Sequence, residues 1–501
     1  MSAPGWEAHL PSGTAPGTIN LLARGTLPAA WVSKWREAPS APVLFDASRG
    51  WIGGAELEEA SRLVAGGLQA AGLAAGDRIL FSAQASIDLA VAHVAALRAG
   101  LVVVPVNTAY REREIAHIVG DSRPRAAFVD DGERRDWVCS AAEEPIVVFG
   151  PGAALEAREP SAVDLAAPED AALIGYTSGT TGAPKGAVLS HANLLAGSES
   201  VGLAWRWTAE DRLVLALPLF HTHGLCVGLH GTLLAGASAV LLPRFGADAV
   251  FDAAAEQRAT LFFGVPTMYQ RLASSPRVGE LAQLRLCVSG SAPLAAQLHR
   301  AIAERSSQQV LERYGMTETL MNVSNPYDGE RRPGSVGFPL PGVELRLSHG
   351  REGEIQIRGP NVFRGYWQQP DATNASFDDG WFCTGDLGCL DADGYLRILG
   401  RSKELIITGG LNVYPREVED VLMSHPDVAE VAVLGTPSEE WGEIVTAVVV
   451  PSAERPGVDA LLAYAAERLA PFKCPRRVQF AEALPRNALG KVLKHELAAS
   501  L

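Results

Sequence analysis

The alternation of amphipathic helices with short apolar strands limits the fold of this chain more than any other feature. Fully apolar strands separated by helices are typical of parallel sheets that carry helices on both faces. The same alternation returns from Ala172 to Glu312, so the sequence predicts an α/β fold for most of its length. The first elements of the pattern are helix 61–72, strand 78–82, helix 87–99, strand 101–105, helix 112–119 and strand 126–129.

The pattern changes twice towards the end of the chain. After Gly329, short apolar runs separated by turns predict a small antiparallel β-barrel or sheet. The last hundred residues mix helices (415–424, 458–469) with strands (428–434, 444–450, 477–480), which indicates a small α+β unit. Because 501 residues exceed one simple core, we expect a large N-terminal domain, residues 1–400, and a mobile C-terminal lid domain, residues 401–501.

Composition excludes several classes of protein. A net charge of -14 argues against a nucleic-acid partner, which needs a basic face. The six cysteines are scattered without C-x-x-C spacing, as in a reducing compartment. Residues 1–17 lack the pattern of a signal peptide. The most apolar stretch, 213–243, is interrupted by Pro218, histidines and glycines, so we expect no integral membrane segment and a cytoplasmic enzyme.

Residues 176–186, Y-T-S-G-T-T-G-A-P-K-G, have the composition of a phosphate-binding loop. Backbone N–H groups in such a run converge on an anion while a lysine adds a positive charge. Pro184 occupies a position where the P-loop of ATPases requires glycine, and the residues after it read as a strand, so an ordinary P-loop is disfavoured. The predicted phosphate-binding residues are Thr177, Ser178, Gly179, Thr180, Thr181 and Lys185.

Further short motifs follow in the order S-G-S-A-P (289–293), Y-G-M-T-E (314–318), T-G-D (384–386), G-R-S-K (400–403) and G-K (490–491). Each alone has an ordinary interpretation as a turn, a helix cap or a solvated lysine. Together, their order and spacing resemble the acyl-adenylate-forming superfamily, which includes acyl-CoA synthetases, luciferases and the adenylation domains of peptide synthetases. The resemblance covers about residues 40–497 and implies ATP, Mg²⁺ and CoA as cofactors and substrates.

The resemblance assigns roles residue by residue. It implies that Tyr314 stacks on adenine, that Asp386 and Arg401 hold the ribose and that Glu318 binds Mg²⁺. Thr317 would contact the α-phosphate and Lys491 would bridge the attacking carboxylate and that phosphate. For the second half-reaction, Lys403 falls at the hinge, and Gly409 and Gly410 would line the pantetheine tunnel. The remaining residues that we expect to bind the nucleotide are Ser291, Ala292, Pro293, Glu312 and Arg313.

The acid is less well defined by the sequence. Amino-acid-activating relatives carry an aspartate where this chain has His221, so an amino acid is disfavoured. Arg285, if buried and facing the acyl pocket, would pair with a second carboxylate, although relatives that activate monocarboxylates also have arginine there. The runs 312–329 and 334–342 resemble malonyl-CoA synthetases. The expected acyl-site residues are His221, Thr222, Arg285, Ser289 and Met316.

The sequence therefore predicts an ATP-dependent acid–CoA ligase for malonate or methylmalonate. Within the class, a medium- or long-chain fatty acyl-CoA synthetase remains open. The motifs are also compatible with an adenylating enzyme that loads a carrier protein and with a non-catalytic nucleotide-binding protein.

Overall fold

The computed structural model describes residues 5–150, 156–177, 184–486 and 492–501. Short 3₁₀ helices lie at Trp6–His9, Pro16–Thr18, Val278–Gln283, Ser402–Glu404 and Pro471–Lys473, and a π-helix at His223–Leu229. The α-helices are α1 (Leu27–Glu37), α2 (Gly54–Ala70), α3 (Ile87–Arg98), α4 (Glu112–Ser122), α5 (Gly132–Ala141), α6 (His191–Ala204), α7 (His230–Ala235), α8 (Ala247–Glu256), α9 (Pro266–Ser274), α10 (Ala296–Ser306), α11 (Pro370–Asn374), α12 (Pro415–Met423), α13 (Val458–Ala466) and α14 (Lys494–Ser500).

The strands of the first part of the chain are β1 (Pro42–Asp46), β2 (Gly50–Gly53), β3 (Arg78–Ser82), β4 (Val102–Pro105), β5 (Ala126–Val129), β6 (Val147–Phe149), β7 (Ala171–Thr177), β8 (Lys185–Ser190), β9 (Arg212–Leu215), β10 (Ser238–Leu241), β11 (Leu261–Gly264), β12 (Leu286–Ser289), β13 (Leu311–Met316), β14 (Leu320–Ser324) and β15 (Phe338–Pro339). They are followed by β16 (Glu344–His349), β17 (Glu352–Arg358), β18 (Gly365–Tyr366), β19 (Phe377–Asp378), β20 (Trp381–Leu390), β21 (Leu396–Arg401), β22 (Ile406–Thr408), β23 (Leu411–Val413), β24 (Val428–Ser438), β25 (Gly442–Pro451) and β26 (Arg477–Phe480).

Two mostly parallel sheets form the large N-terminal part. One has the order β15-β14-β13-β12-β11-β9-β10-β1-β2 and the other β18-β8-β7-β4-β3-β5-β6. The strands from β9 to β13 are parallel to their neighbours, whereas β14 turns back antiparallel to β13. Because parallel strands present their carboxyl ends at one edge, Gly264 at the end of β11 lies beside Ser289 at the end of β12, and Ser289 lies beside Glu312 of β13. Ligands of open α/β sheets bind at such an edge.

Two smaller sheets follow. The segment expected as an antiparallel barrel or sheet is a sheet of order β16-β17-β20-β19 with β21 paired to β20. The last sheet, β23-β22-β25-β24 with β26 on β25, has its own apolar core, which includes Val433, Val449 and Leu461. These sheets agree with the fold class that the sequence predicts. The boundary at residue 400, which falls next to the last residue of β21, stays a prediction.

Local structure agrees with the sequence patterns at most elements. Strands 78–82 and 126–129 have the predicted bounds, and β8 is the strand expected after Pro184. Asp386 lies within β20, at a point where Gly385 has φ +70° and the ladder is irregular. Among the described residues, no helix is both long enough and apolar enough to cross a membrane.

Candidate active site

A polar cluster joins the end of β13 to strands β20 and β21. The Tyr314 hydroxyl donates a hydrogen bond to Asp386 Oδ2 at 2.6 Å. Arg401 Nε lies 2.9 Å from Asp386 Oδ1, across the antiparallel pair of β20 and β21. The Asp386 side chain is 7% exposed, so its charge is held mainly by these partners. The structure therefore brings together the three residues that the resemblance assigns to adenine and ribose.

Glu318 extends this cluster towards the predicted phosphate-binding loop. It is a buried carboxylate whose Oε1 accepts a hydrogen bond from the Tyr366 hydroxyl at 3.1 Å. Burial raises the pKa of Glu318. The Lys185 ammonium lies 5.2 Å from the centre of the Tyr366 ring, a cation–π distance. Thr317 is close to β7, since a Cβ added to Gly175 would lie 2.5 Å from Thr317 Cγ2. The charges of Arg401 and Asp386 also affect the pKa of Glu318, so Lys185, Glu318 and Asp386 lie near one another.

Arg313 lies on the opposite face of β13 from Glu312 and Tyr314, because side chains alternate along a strand. The residue is 3% exposed, and neither Nε nor Nη2 has a hydrogen-bond partner among the described residues. Burial lowers the pKa of Arg313 to about 9. A Cβ added to Gly290 would lie 2.3 Å from Arg313 Cζ, so the guanidinium rests directly on the backbone of the S-G-S-A-P turn.

Two histidines adjoin this guanidinium. His221 Nδ1 accepts a hydrogen bond from the His223 backbone N–H at 3.2 Å, and His223 Nδ1 lies 3.3 Å from Ser291 Oγ. Burial, with a smaller contribution from the Arg313 charge, lowers the pKa of His221 to about 4 and that of His223 well below its usual range. Both rings are therefore neutral at neutral pH. His223 also begins the π-helix, a type of turn frequent at functional sites that the sequence did not indicate.

The other predicted residues of this region line the same edge of the sheet. Ser289 ends β12, and its buried Oγ has no partner among the described residues. Ser291 has φ +68°, a strained conformation for a residue other than glycine. Glu312 Oε1 accepts the Leu294 N–H at 2.8 Å, next to Ala292 and Pro293, and burial raises the pKa of Glu312 to about 7. Thr222 is buried beside the two histidines, and Met316 Sδ lies 4.0 Å from the Tyr314 hydroxyl.

The expectation that Arg285 faces the acyl pocket is wrong. Arg285 precedes β12, whereas Ser289 ends it. Arg285 therefore lies at the amino ends of the parallel strands and Ser289 at their carboxyl ends. Its guanidinium pairs with Asp211 at 2.5 and 2.6 Å and donates to the backbone oxygens of Trp205 and Arg206. Asp211 is 3% exposed and needs this partner. Arg285 thus stabilises the amino ends of the strands, and Arg313, expected to bind the nucleotide, is the buried cation beside the histidines.

Gly409 and Gly410 form the turn between β22 and β23, with φ +56° and +79°. A Cβ on Gly409 would lie 2.8 Å from the Trp441 ring, so a larger residue fits neither the backbone nor the space there. Lys403 lies on the 3₁₀ turn Ser402–Glu404, immediately after the strand that carries Arg401. The roles of these three residues stay predictions. Ser178, Gly179, Thr180, Thr181 and Lys491 lie outside the described residues.

Family models match most of this chain. One described as AMP-binding enzyme covers residues 31–367, and one described as AMP-binding enzyme C-terminal domain covers residues 417–491. The chain belongs to the AMP-binding enzyme family. The acyl-CoA synthetase predicted from the motifs is confirmed, and the protein is an AMP-forming acid–CoA ligase.

Relatives of this synthetase carry different acids in their names. A feruloyl-CoA synthase from Amycolatopsis is 37% identical over 88% of this chain and 92% of its own length. A malonate–CoA ligase from Arabidopsis thaliana is 34% identical over 85% of this chain and 78% of its own. The crystal structure of ATP-bound MatB from Rhodopseudomonas palustris superposes with a TM-score of 0.90 at 41% identity, covering 95% of this chain and 99% of that one. ATP binding is supported by this likeness, whereas the names do not agree on one acid.

Proposed function

We propose that this acyl-CoA synthetase activates malonate or methylmalonate. One carboxylate of the acid attacks the α-phosphorus of ATP, which gives the acyl-adenylate and releases pyrophosphate. The CoA thiol then attacks the acyl carbon, forms the thioester and expels AMP, while the thiol proton is lost to solvent. The overall reaction consumes ATP, the acid and CoA.

The observation that carries this proposal is the buried guanidinium of Arg313, which has no carboxylate partner among the described residues. A buried charge without a partner is costly, on the order of 3–5 kcal/mol when one member of a buried pair is missing. A dicarboxylate that enters beside Gly290 with its second carboxylate towards Arg313 would make a bidentate, charge-assisted contact. A monocarboxylic acid with an apolar tail would leave the arginine buried and unpaired. The site therefore favours a short dicarboxylate.

The histidine side of the pocket fits a short acid as well. The His223 ring stacks on Phe263 at 6.5 Å, and Phe263 meets the edges of Trp205 and Trp207 at 5.2 and 5.3 Å. These rings fill the space behind His223. The neutral histidines next to Arg313 can donate N–H hydrogen bonds to the second carboxylate of the acid, but they add no positive charge. The guanidinium of Arg313 would therefore be the group that neutralises this carboxylate.

The nucleotide cluster fits a magnesium complex of ATP. Mg²⁺ is usually held by one or two carboxylates together with phosphate oxygens and water, and Glu318 supplies one buried carboxylate beside Lys185. Within the described ranges, no group of three or more acidic, histidine or cysteine residues forms a site of its own for a metal. Mg²⁺ would neutralise phosphate charge, while Thr317 and Lys491 would contact the α-phosphate and Gly409 and Gly410 would admit the CoA arm.

Pyrophosphate release across a panel of acids tests the proposal. We expect malonate and methylmalonate to give the highest kcat/KM, with butyrate, ferulate and octanoate far below them. Octanoate or ferulate outrunning malonate would overturn the choice of acid. A hydroxylamine trap that reports adenylate without CoA-dependent thioester would favour loading of a carrier protein. ATP binding with no turnover, unchanged in Lys491→Ala, would favour a non-catalytic binding protein.

A further inference from the structure

Helix α4 makes side-chain contacts with both strand ends that flank the segment 178–183. His117 Nε2 lies 3.0 Å from the backbone oxygen of Pro184, which directly precedes β8. Because a carbonyl oxygen only accepts, Nε2 must carry the hydrogen. The hydroxyl of Tyr176, the second-last residue of β7, donates to Asp121 Oδ2 at 2.5 Å. His117 and Asp121 are four residues apart and therefore share one face of α4.

Other contacts hold the same arrangement. The His117 and Tyr176 rings meet edge to face at 6.4 Å and 82°. The Trp367 indole N–H donates to the Asp121 backbone oxygen at 3.1 Å, and its backbone N–H donates to Gly186 O at 2.7 Å. Asp121 is thus fixed both by the strand before the segment and by a residue bound to the strand after it. These contacts are separate from the nucleotide cluster around Asp386.

The contacts hold Tyr176 and Pro184, which lie before and after the segment 178–183 that carries most of the predicted phosphate-binding residues. In the β7–β8 ladder, Tyr176 pairs with Gly186 and Thr177 with Lys185, so the two ends are already adjacent. Side chains from α4 tie both ends to the body of the domain. Binding costs less when the binding groups are held in place beforehand.

We propose that His117 and Asp121 are positioning residues for ATP, which hold Tyr176 and Pro184 in place before ATP binds, on either side of the predicted phosphate-binding segment 178–183. The proposal rests on the expected phosphate-binding role of residues 177–185 and not on which acid is activated. Because the α4 contacts act on a segment that binds ATP in the ground state and in the transition state alike, their loss should change KM for ATP rather than kcat.

The test measures ATP affinity directly, by calorimetry without any acid, and KM and kcat for ATP with the best acid of the panel. His117→Ala, Asp121→Ala and Tyr176→Phe should each weaken ATP binding about 3- to 10-fold, as expected for one hydrogen bond, with kcat within about twofold. His117→Gln and Asp121→Asn should restore affinity, because the Gln amide N–H can donate to Pro184 and the Asn oxygen can accept from Tyr176.

Glu114→Ala is the matched control on the same helix. Glu114 is exposed, and its carboxylate caps the start of α4 by accepting the Arg111 N–H at 2.9 Å, away from the hairpin. An equal loss of ATP affinity in Glu114→Ala would show that only helix stability matters and would overturn the proposal. So would unchanged affinity in Tyr176→Phe, which keeps the ring and is the variant to use if the alanine variants do not fold. Because ATP binding is measured without any acid, the result can be interpreted even if malonate proves not to be the substrate.

Discussion

Replacing Arg313 with methionine should invert the preference of this synthetase between di- and monocarboxylic acids. Arg313 is 3% exposed and lacks partners at Nε and Nη2 among the described residues. In the malonate complex it would form a buried ion pair, and breaking such a pair costs about 3–5 kcal/mol. At 1.36 kcal/mol per tenfold, a loss of about 3–5 kcal/mol should lower kcat/KM for malonate about 160- to 5000-fold. Butyrate should gain, because methionine no longer leaves a buried charge without a partner.

The assay is pyrophosphate release with malonate and butyrate as paired substrates, and the selectivity is the ratio of the two kcat/KM values. Arg285→Met is the matched control, since it removes an arginine that is paired with Asp211 at the opposite edge of the same sheet. It should lower the free energy of unfolding, by leaving the Asp211 carboxylate buried and unpaired, without changing the selectivity. The reasoning is refuted if Arg313→Met still prefers malonate, or if Arg285→Met is the variant that loses the preference.

Three further variants test the contacts of Gly290, Asp386 and Glu312. Gly290→Ala should lower kcat/KM for malonate about 5- to 150-fold, because a Cβ 2.3 Å from Arg313 Cζ displaces the guanidinium; similar losses for malonate and butyrate would contradict this. Asp386→Asn removes the charge that Arg401 faces at 2.9 Å and should raise KM for ATP about 10- to 100-fold, measured at saturating acid, with KM for the acid unchanged. Burial raises the pKa of Glu312 from 4.5 to about 7. The Glu312 carboxyl therefore loses its proton at a lower pH in the unfolded chain than in the folded protein. The free energy of unfolding of the wild type should therefore fall relative to that of Glu312→Gln as pH rises from about 4.5 to 7, by about 3 kcal/mol at most. Urea unfolding of both proteins at pH 5 and pH 8 would measure this difference. Equal pH dependence of the two proteins would count against it.

Periodicity predicts the parallel strands in the middle of the two large sheets, because those strands are short, apolar and separated by helices. Strands β3 and β5 have the bounds that the apolar pattern predicts, and the motif residues Tyr314, Glu318, Asp386 and Arg401 lie together as the resemblance implies. This information comes from the order of the motifs along the chain rather than from their position after strands, since Tyr314 lies within β13, and Asp386 and Arg401 face each other on the antiparallel strands β20 and β21.

The error at Arg285 concerns a side chain whose partner is distant in sequence. Arg285 is neutralised by Asp211, 74 residues earlier, and nothing local to either residue indicates the pair. The motif groups Arg313 with Glu312 and Tyr314 because the three are consecutive. The alternation of a strand separates Arg313 from them, since neighbours on a strand point to opposite faces. The π-helix at His223–Leu229 has no recognisable sequence pattern, because its histidine and two glycines favour no regular helix.

Strand β13 presents Arg313 on one face and Tyr314 on the other, so in the proposed assignment the two faces of one strand serve the acid and the nucleotide separately. The acid spectrum of this protein should accordingly be open to engineering from the Arg313 side while its use of ATP stays intact. This arrangement depends on the register of the strand. Inserting one residue before Arg313 would exchange the two faces and disable the acid side and the nucleotide side together.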